Sequence, residues 1–178
     1  MLKAKIVNLI NCGENIGNNF VLCRRTHEKD ILDTSLNKED RITSFKNMML
    51  IIESGKVPLF MTEFININCL KIEYELEKIR NLYYQDYPSR LSCTFASKNI
   101  AEFSTLPHFI EVAEDCRVVK CDMQIINFLR TYPSYLIFEL LKGYWEGKTL
   151  RECINNPNAL PPVWEYLIEG KHQINPKG

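Results

Sequence analysis

Glycine is scarce in this chain, with seven in 178 residues. That disfavours a glycine-rich phosphate cradle, and neither G-x-x-x-x-G-K-[ST] nor G-x-G-x-x-G occurs. Histidine is scarcer still. None of His27, His108 and His172 sits in a G-x-S-x-G elbow or comparable context, which argues against a Ser- or Cys-based hydrolase. No apolar run approaches a membrane span, and Lys3 and Lys5 interrupt the early apolar stretch, so no signal-peptide layout is present. The expected location is cytoplasmic, with no membrane partner. Net charge is absent too: 22 basic and 22 acidic side chains cancel, which argues against a general electrostatic nucleic-acid binder. The seven cysteines form no C-x-x-C pair and are odd in number. They read as reduced, packed side chains, and Cys116 and Cys121 lack the second ligand pair that a zinc site needs.

What is present is an ordinary globular composition, 46% apolar and 25% charged, over a length that suits one domain, residues 1–178. Residues 3–10 read as a strand, 11–19 as an Asn- and Gly-rich loop, and Phe20 to Arg25 as a second strand. Thr26 to Asp40 is polar and without period, a long loop of the kind that covers a ligand. Two amphipathic helices follow. One carries Ile42, Phe45, Met48 or Met49 and Ile52 and ends at Gly55; the other carries Leu70, Tyr74, Leu76 or Glu77, Ile79 and Tyr83. Phe109 to Val112 and Arg117 to Cys121 read as a hairpin, and Tyr135 to Trp145 as a third helix. A turn-rich connector, 155–162, leads into a last strand, which His172 to Ile174 extends. The pattern is α+β.

Two segments carry candidate chemistry. Val163-Trp164-Glu165-Tyr166-Leu167-Ile168-Glu169 reads as a strand closed by Gly170, with Glu165 and Tyr166 on opposite faces. An acid in an apolar strand is costly unless paired or used. Glu169 shares the face of Glu165 and reads as a solvated strand end. In Tyr87-Pro88-Ser89-Arg90-Leu91-Ser92-Cys93-Thr94-Phe95-Ala96-Ser97, Arg90 to Ala96 reads as a strand. Ser97 reads as the N-cap of a short helix holding Ile100, Ala101 and Phe103. Free N–H groups and hydroxyls at that mouth, beside Arg90, suit a phosphate.

Together these segments resemble the ADP-ribosyltransferase superfold. Thr94-Phe95-Ala96-Ser97 is similar to its central strand, and Glu165-Tyr166-Leu167-Ile168 to the late strand with the catalytic glutamate. Pro88-Ser89-Arg90-Leu91-Ser92, Tyr144-Trp145-Glu146-Gly147 and Glu165 resemble pieces of small bacterial ADP-ribosyltransferase-like proteins, some of them toxins of defence modules. The likeness spans roughly residues 18–175. It departs from the family at Thr94, where many relatives carry Tyr, and in an early strand without His. Arg24, with Thr26 on the same face, matches an Arg-type first motif, while Arg25 faces the other way and His27 follows the strand.

The resemblance implies a split two-sheet β core with covering helices, and NAD as co-substrate without metal. It implies Glu165 as the catalytic carboxylate, and Arg24, Thr26, Arg90, Thr94, Phe95 and Ser97 around the cofactor. The expected site is a cleft between two sheets with Glu165 at its floor. The activity implied is mono-ADP-ribosyl transfer. Arg24, Arg25, Lys29, Arg90 and Lys98 near that site favour a nucleic-acid acceptor, RNA first, and the toxin likeness implies an antitoxin protein. An NAD glycohydrolase using the same site and an inert interaction module of the same fold stand as alternatives.

Overall fold

The computed structural model describes residues 10–11, 20–24, 31–55, 67–99, 108–113, 115–135 and 137–176. The chain runs β1 (Phe20–Arg24), β2 (Ile31–Asp33), α1 (Lys38–Glu53), α2 (Ile67–Tyr83) and β3 (Thr94–Ser97). It continues with β4 (His108–Val112), β5 (Arg117–Asp122), α3 (Met123–Thr131), a 3-10 turn at Pro133–Tyr135 and α4 (Phe138–Trp145). It ends with α5 (Leu150–Cys153), β6 (Trp164–Glu169) and β7 (Lys171–Pro176). The seven strands form one antiparallel sheet in the order β2-β7-β4-β1-β3-β6-β5.

That sheet cannot be flat. β6 and β7 are separated in sequence only by Gly170, yet four strand spacings part them in the sheet. Laid flat, that gap would be about 19 Å, whereas two consecutive Cα steps span at most about 7.6 Å. The sheet therefore folds over on itself, and the chain crosses at Gly170, whose φ of 124° favours glycine. Backbone bonds pin the crossing: Ala113 N–H donates to Lys171 O at 3.0 Å and Thr34 N–H to Gly170 O at 3.2 Å. Two cores result. Phe20, Ala96, Ile110, Val118, Tyr166, Ile168 and Ile174 fill the inside of the fold-over. On the outer face of β3, β5 and β6, residues Phe95, Val119, Cys121 and Leu167 pack against Leu76 of α2, Ile125 and Leu129 of α3 and Trp145 of α4.

An α+β architecture is what the structure shows. In place of two separate sheets, one folded sheet holds every described strand. The 109–112 and 117–121 strands are not a hairpin: β4 pairs with β1 and β7, while β5 pairs with β6 at the far end of the sheet. Their short connection bridges the fold-over instead. The stretch 26–40 is not a continuous loop, since Ile31–Asp33 pairs with Lys171–Gln173 and α1 begins at Lys38. Pro133 keeps its turn in a 3-10 conformation, so the third expected helix starts only at Phe138. An additional helix, α3, is capped by the Asp122 carboxylate, which accepts from Gln124 N–H at 3.0 Å. The strand expected over 3–10, apart from Ile10, and the helix expected after Ser97 lie outside the described residues.

Candidate functional site

Strand alternation sorts the side chains of β6. Trp164, Tyr166 and Ile168 pack on the inner core, so Glu165, Leu167 and Glu169 face the helices. Glu165 lies opposite Cys121 of β5 in the ladder and is only 1% exposed. A carboxylate at that depth is stable only with strong partners. It has two. Arg90 Nη1 donates to Glu165 Oε1 at 2.6 Å and the Tyr144 hydroxyl donates to the same oxygen at 2.7 Å.

Arg90 reaches this point from a turn, not from a strand. The Ser89 hydroxyl accepts from Leu91 N–H, and the Ser89 carbonyl accepts from the N–H groups of Ser92 and Cys93, so the chain coils before β3 begins at Thr94. Helix α2 holds that turn through two acids one helical turn apart. Glu77 accepts from the Ser89 hydroxyl at 2.9 Å and pairs with Arg80, which also donates to the Gln85 and Tyr87 carbonyls. Glu73 takes the other side of Arg90 as a fork, with Nε at 2.7 Å and Nη2 at 2.8 Å. Nη1 also meets the Tyr144 hydroxyl. The guanidinium lies over the Phe95 ring at 4.9 Å and the Tyr144 ring at 5.2 Å.

Two carboxylates and a phenol thus share one enclosed cation. Burial pulls the Arg90 guanidinium down, but Glu165 and Glu73 outweigh it and hold the group above its ordinary value. Burial pushes the Tyr144 phenol up despite the nearby cation. The Cys121 thiol is pushed up as well, by burial first and then by Glu165. The cluster fixes a carboxylate in one orientation on β6, the strand next to the β5 edge, and keeps bulk water from it.

The other candidate residues fall around this cluster in different ways. Arg24 ends β1 and its backbone pairs with Phe95 across a bulge. Phe95 shares the face of Glu165 and supports Arg90. Thr94 points the other way: its hydroxyl lies 3.0 Å from His172 Nε2 on the inner face, so alternation separates it from Glu165. Ser97 ends β3, where its hydroxyl accepts from Asn99 N–H at 3.0 Å. Thr26 lies outside the described residues, as do Arg25, His27 and Lys29. Glu169 is not a solvated strand end. It is 1% exposed and held by Lys38 at 2.9 Å and Arg117 at 2.7 Å, because α1 and β5 cover it.

The expected cleft with Glu165 at its floor is absent from the described residues. The inner space of the fold-over is filled by Tyr166, Ile168 and their neighbours, and Glu165 looks outward beneath helices. A cavity of about 360 Å³ does open at the same end of the sheet, lined by Ser97, Lys98, Asn99, Pro162, Val163, Trp164 and Tyr166. Lys98 Nζ lies 4.0 Å over the Phe20 ring there, and burial lowers its pKa.

Sequence reasoning missed Glu73, and it placed Tyr144 in a motif of the resemblance without giving its hydroxyl a role. The available signal was the combination of an Arg after Pro88-Ser89 with two acids, Glu73 and Glu77, at i, i+4 on the preceding helix. Tyr144-Trp145-Glu146-Gly147 has a structural logic as well: Trp145 Nε1 donates to the Leu76 carbonyl at 2.9 Å. Gly147 has φ 72°, and a Cβ there would meet the Asn11 amide at 2.8 Å. Asn11 in turn bridges to Lys120 of β5 through its side chain.

Among the described residues no helix is long and apolar enough to cross a membrane, and no group of three or more His, Cys, Asp or Glu side chains gathers to hold a metal. A scan against protein-family models gives no match, and neither does a search of curated proteins.

Proposed function

We propose that the chain is an NAD-dependent mono-ADP-ribosyltransferase in which Glu165 stabilises the ribosyl cation. The observation that carries this reading is the adjacency of β1, β3 and β6. Arg24, Phe95 and Glu165 are about 70 residues apart in sequence. Their strands are nevertheless neighbours, with Arg24 paired to Phe95 and β3 paired to the Glu165 strand. In the reaction the bond from the anomeric carbon to nicotinamide breaks, and its electron pair leaves with nicotinamide. An acceptor nucleophile then bonds to the same carbon and loses its proton. A preoriented carboxylate lowers the cost of the intervening positive charge, typically by about 3 kcal/mol for one such group.

Arg90 enters this reading as a positioning residue rather than a pyrophosphate clamp, because its N–H groups already serve Glu73, Glu165 and Tyr144. The cavity at the end of β3, beside the inner-face residues Trp164 and Tyr166 and opposite to Glu165 on β6, fits part of a nucleotide: Lys98 supplies a cation, Ser97 a hydroxyl, and Trp164 and Tyr166 ring surface. Glu165 is covered in this conformation. The reading therefore entails that substrate binding displaces Arg90 Nη1 from Oε1 and uncovers the carboxylate.

The burial of Glu165 and the pairing of its Oε1 with both Arg90 and Tyr144 favour a second reading, a catalytically inert interaction module of the same architecture. Incubation with NAD labelled in its ADP-ribose part, with and without total RNA, DNA and protein, separates the possibilities. Label on a macromolecule identifies a transferase and names its acceptor. Free ADP-ribose identifies a glycohydrolase with the same site, and intact NAD supports the inert module.

A further inference from the structure

We infer that the pocket between α3 and the 156–160 loop is a binding site for a flat, uncharged heterocycle of the nucleobase type. The pocket is about 320 Å³, in the size range of small-ligand sites. Its wall is aromatic: the Phe128 and Tyr132 rings lie 5.0 Å apart, and Tyr132 is 51% exposed, which leaves ring surface open for stacking. Its floor is aliphatic. Thr131 and four amide side chains, Gln124, Asn127, Asn156 and Asn158, complete the lining, and no charged side chain does.

The amides supply both donors and acceptors to the lining. Asn127 Nδ2 donates to Gln124 Oε1 at 3.3 Å, which leaves Gln124 Nε2 as a donor and Asn127 Oδ1 as an acceptor on neighbouring turns of α3. Asn156 Oδ1 accepts from Asn158 N–H at 3.0 Å, which leaves Asn156 Nδ2 as a further donor on the opposite side. Donors and acceptors beside an aromatic face are what a nucleobase needs, since every base has a π-face for stacking and a hydrogen-bonding edge. A phosphate or carboxylate would find no counter-charge in this lining. The loop wall is fixed in place, because Arg151 Nε donates to the Ala159 carbonyl at 2.7 Å and Asp122 Oδ2 accepts from Leu150 N–H at 2.9 Å. The ligand is a free nucleoside or an unstacked base of a single strand. The inference does not rest on NAD chemistry.

The test is calorimetric titration of the full chain with the four ribonucleosides, their 5′-monophosphates, a short single-stranded RNA and the same RNA as a duplex. At least one nucleoside should bind saturably, and its monophosphate should bind within about threefold of it, because the lining is uncharged. Tyr132→Ala should weaken that binding by about five- to a hundredfold, the range for loss of one stacked base. Tyr132→Phe should retain it. Tyr132 is half exposed, so both variants keep the core. Tighter binding of single strand than of nucleoside, with no binding of duplex, identifies the strand as the source of the base. No saturable nucleoside binding, unchanged affinity in Tyr132→Ala, or a monophosphate bound more than tenfold tighter than its nucleoside would overturn the assignment. NAD turnover can be absent without affecting any of these readings.

Discussion

Glu165 and Glu169 lie on one strand, point to the same side and are equally buried, yet the fold holds them differently. Glu165 is gripped by a rigid guanidinium and a phenol, both themselves buried, and the guanidinium is anchored in turn to Glu73 of α2. Glu169 is met by Lys38, a flexible chain from α1, and by Arg117, whose side chain is 38% exposed. One of its oxygens, Oε2, has no hydrogen-bond partner among the described residues. Burial alone therefore does not mark a reactive carboxylate. Glu169 ties α1 and β5 to the end of β6, and its cations can return to water when it is lost. Glu165 sits in a preoriented, enclosed cluster whose members cannot do so, and the proposed catalytic role draws on that difference.

The largest effect should come from removing the shared cation. Arg90→Ala leaves Glu165 and Glu73 facing each other without compensation, and the expected loss is about 3–5 kcal/mol of stability by urea denaturation. Adding Glu165→Gln to that variant should restore part of the loss, since the two changes act on one interaction. Simple additivity of the pair would show that the cluster is not a unit. Glu165→Gln alone keeps shape and two hydrogen-bonding positions, so its expected signature is catalytic: about a hundredfold or greater loss of turnover. The matching change at Glu169 should do the reverse. Glu169→Gln is expected to shift stability by about 1 kcal/mol, because one oxygen already lacks a partner and both cations can be hydrated, and to leave turnover unchanged.

A pH measurement sharpens the contrast further. The raised pKa of Tyr144 means that its contribution is present below the ordinary phenol value of about 10 and is lost as pH rises toward the folded-state value. Burial and Glu146 raise the Tyr84 phenol too. Spectrophotometric titration of tyrosine should therefore show two late-ionising phenols. Tyr144→Phe should remove one of them, the one that ionises only with alkaline unfolding. The smallest effect belongs to Arg117→Ala. That half-exposed partner of Glu169 should change stability by no more than about 1 kcal/mol, less at high salt.

Much of this was legible from residue order. The period of two in Trp164–Glu169 set Glu165 and Glu169 on one face, and Ile42 with Met49 marked the buried side of α1. Asp122 before Ile125, Ile126 and Leu129 also announced α3 as a capped amphipathic helix, a signal present but not used. The fold-over was not legible. It depends on which strands pair, and β4 and β5 look like a hairpin locally while their partners are β7 and β6. The cluster was half legible for a related reason. Arg90 and Glu165 stand out as charged residues among apolar neighbours, whereas Glu73 blends into the polar face of α2. Only the packing of the Pro88-Ser89-Arg90 turn against that helix singles it out.

In the proposed function the carboxylate at Glu165 does chemistry that its neighbour at Glu169 does not. The direct measurement compares wild type, Glu165→Gln and Glu169→Gln, each shown to be folded, for release of nicotinamide from labelled NAD in the presence of total RNA, DNA and protein. The account predicts equal release by wild type and Glu169→Gln, label on an acceptor, and release from Glu165→Gln reduced about a hundredfold or more. A folded Glu165→Gln with wild-type release, or a wild type that leaves NAD intact with every acceptor, would contradict it.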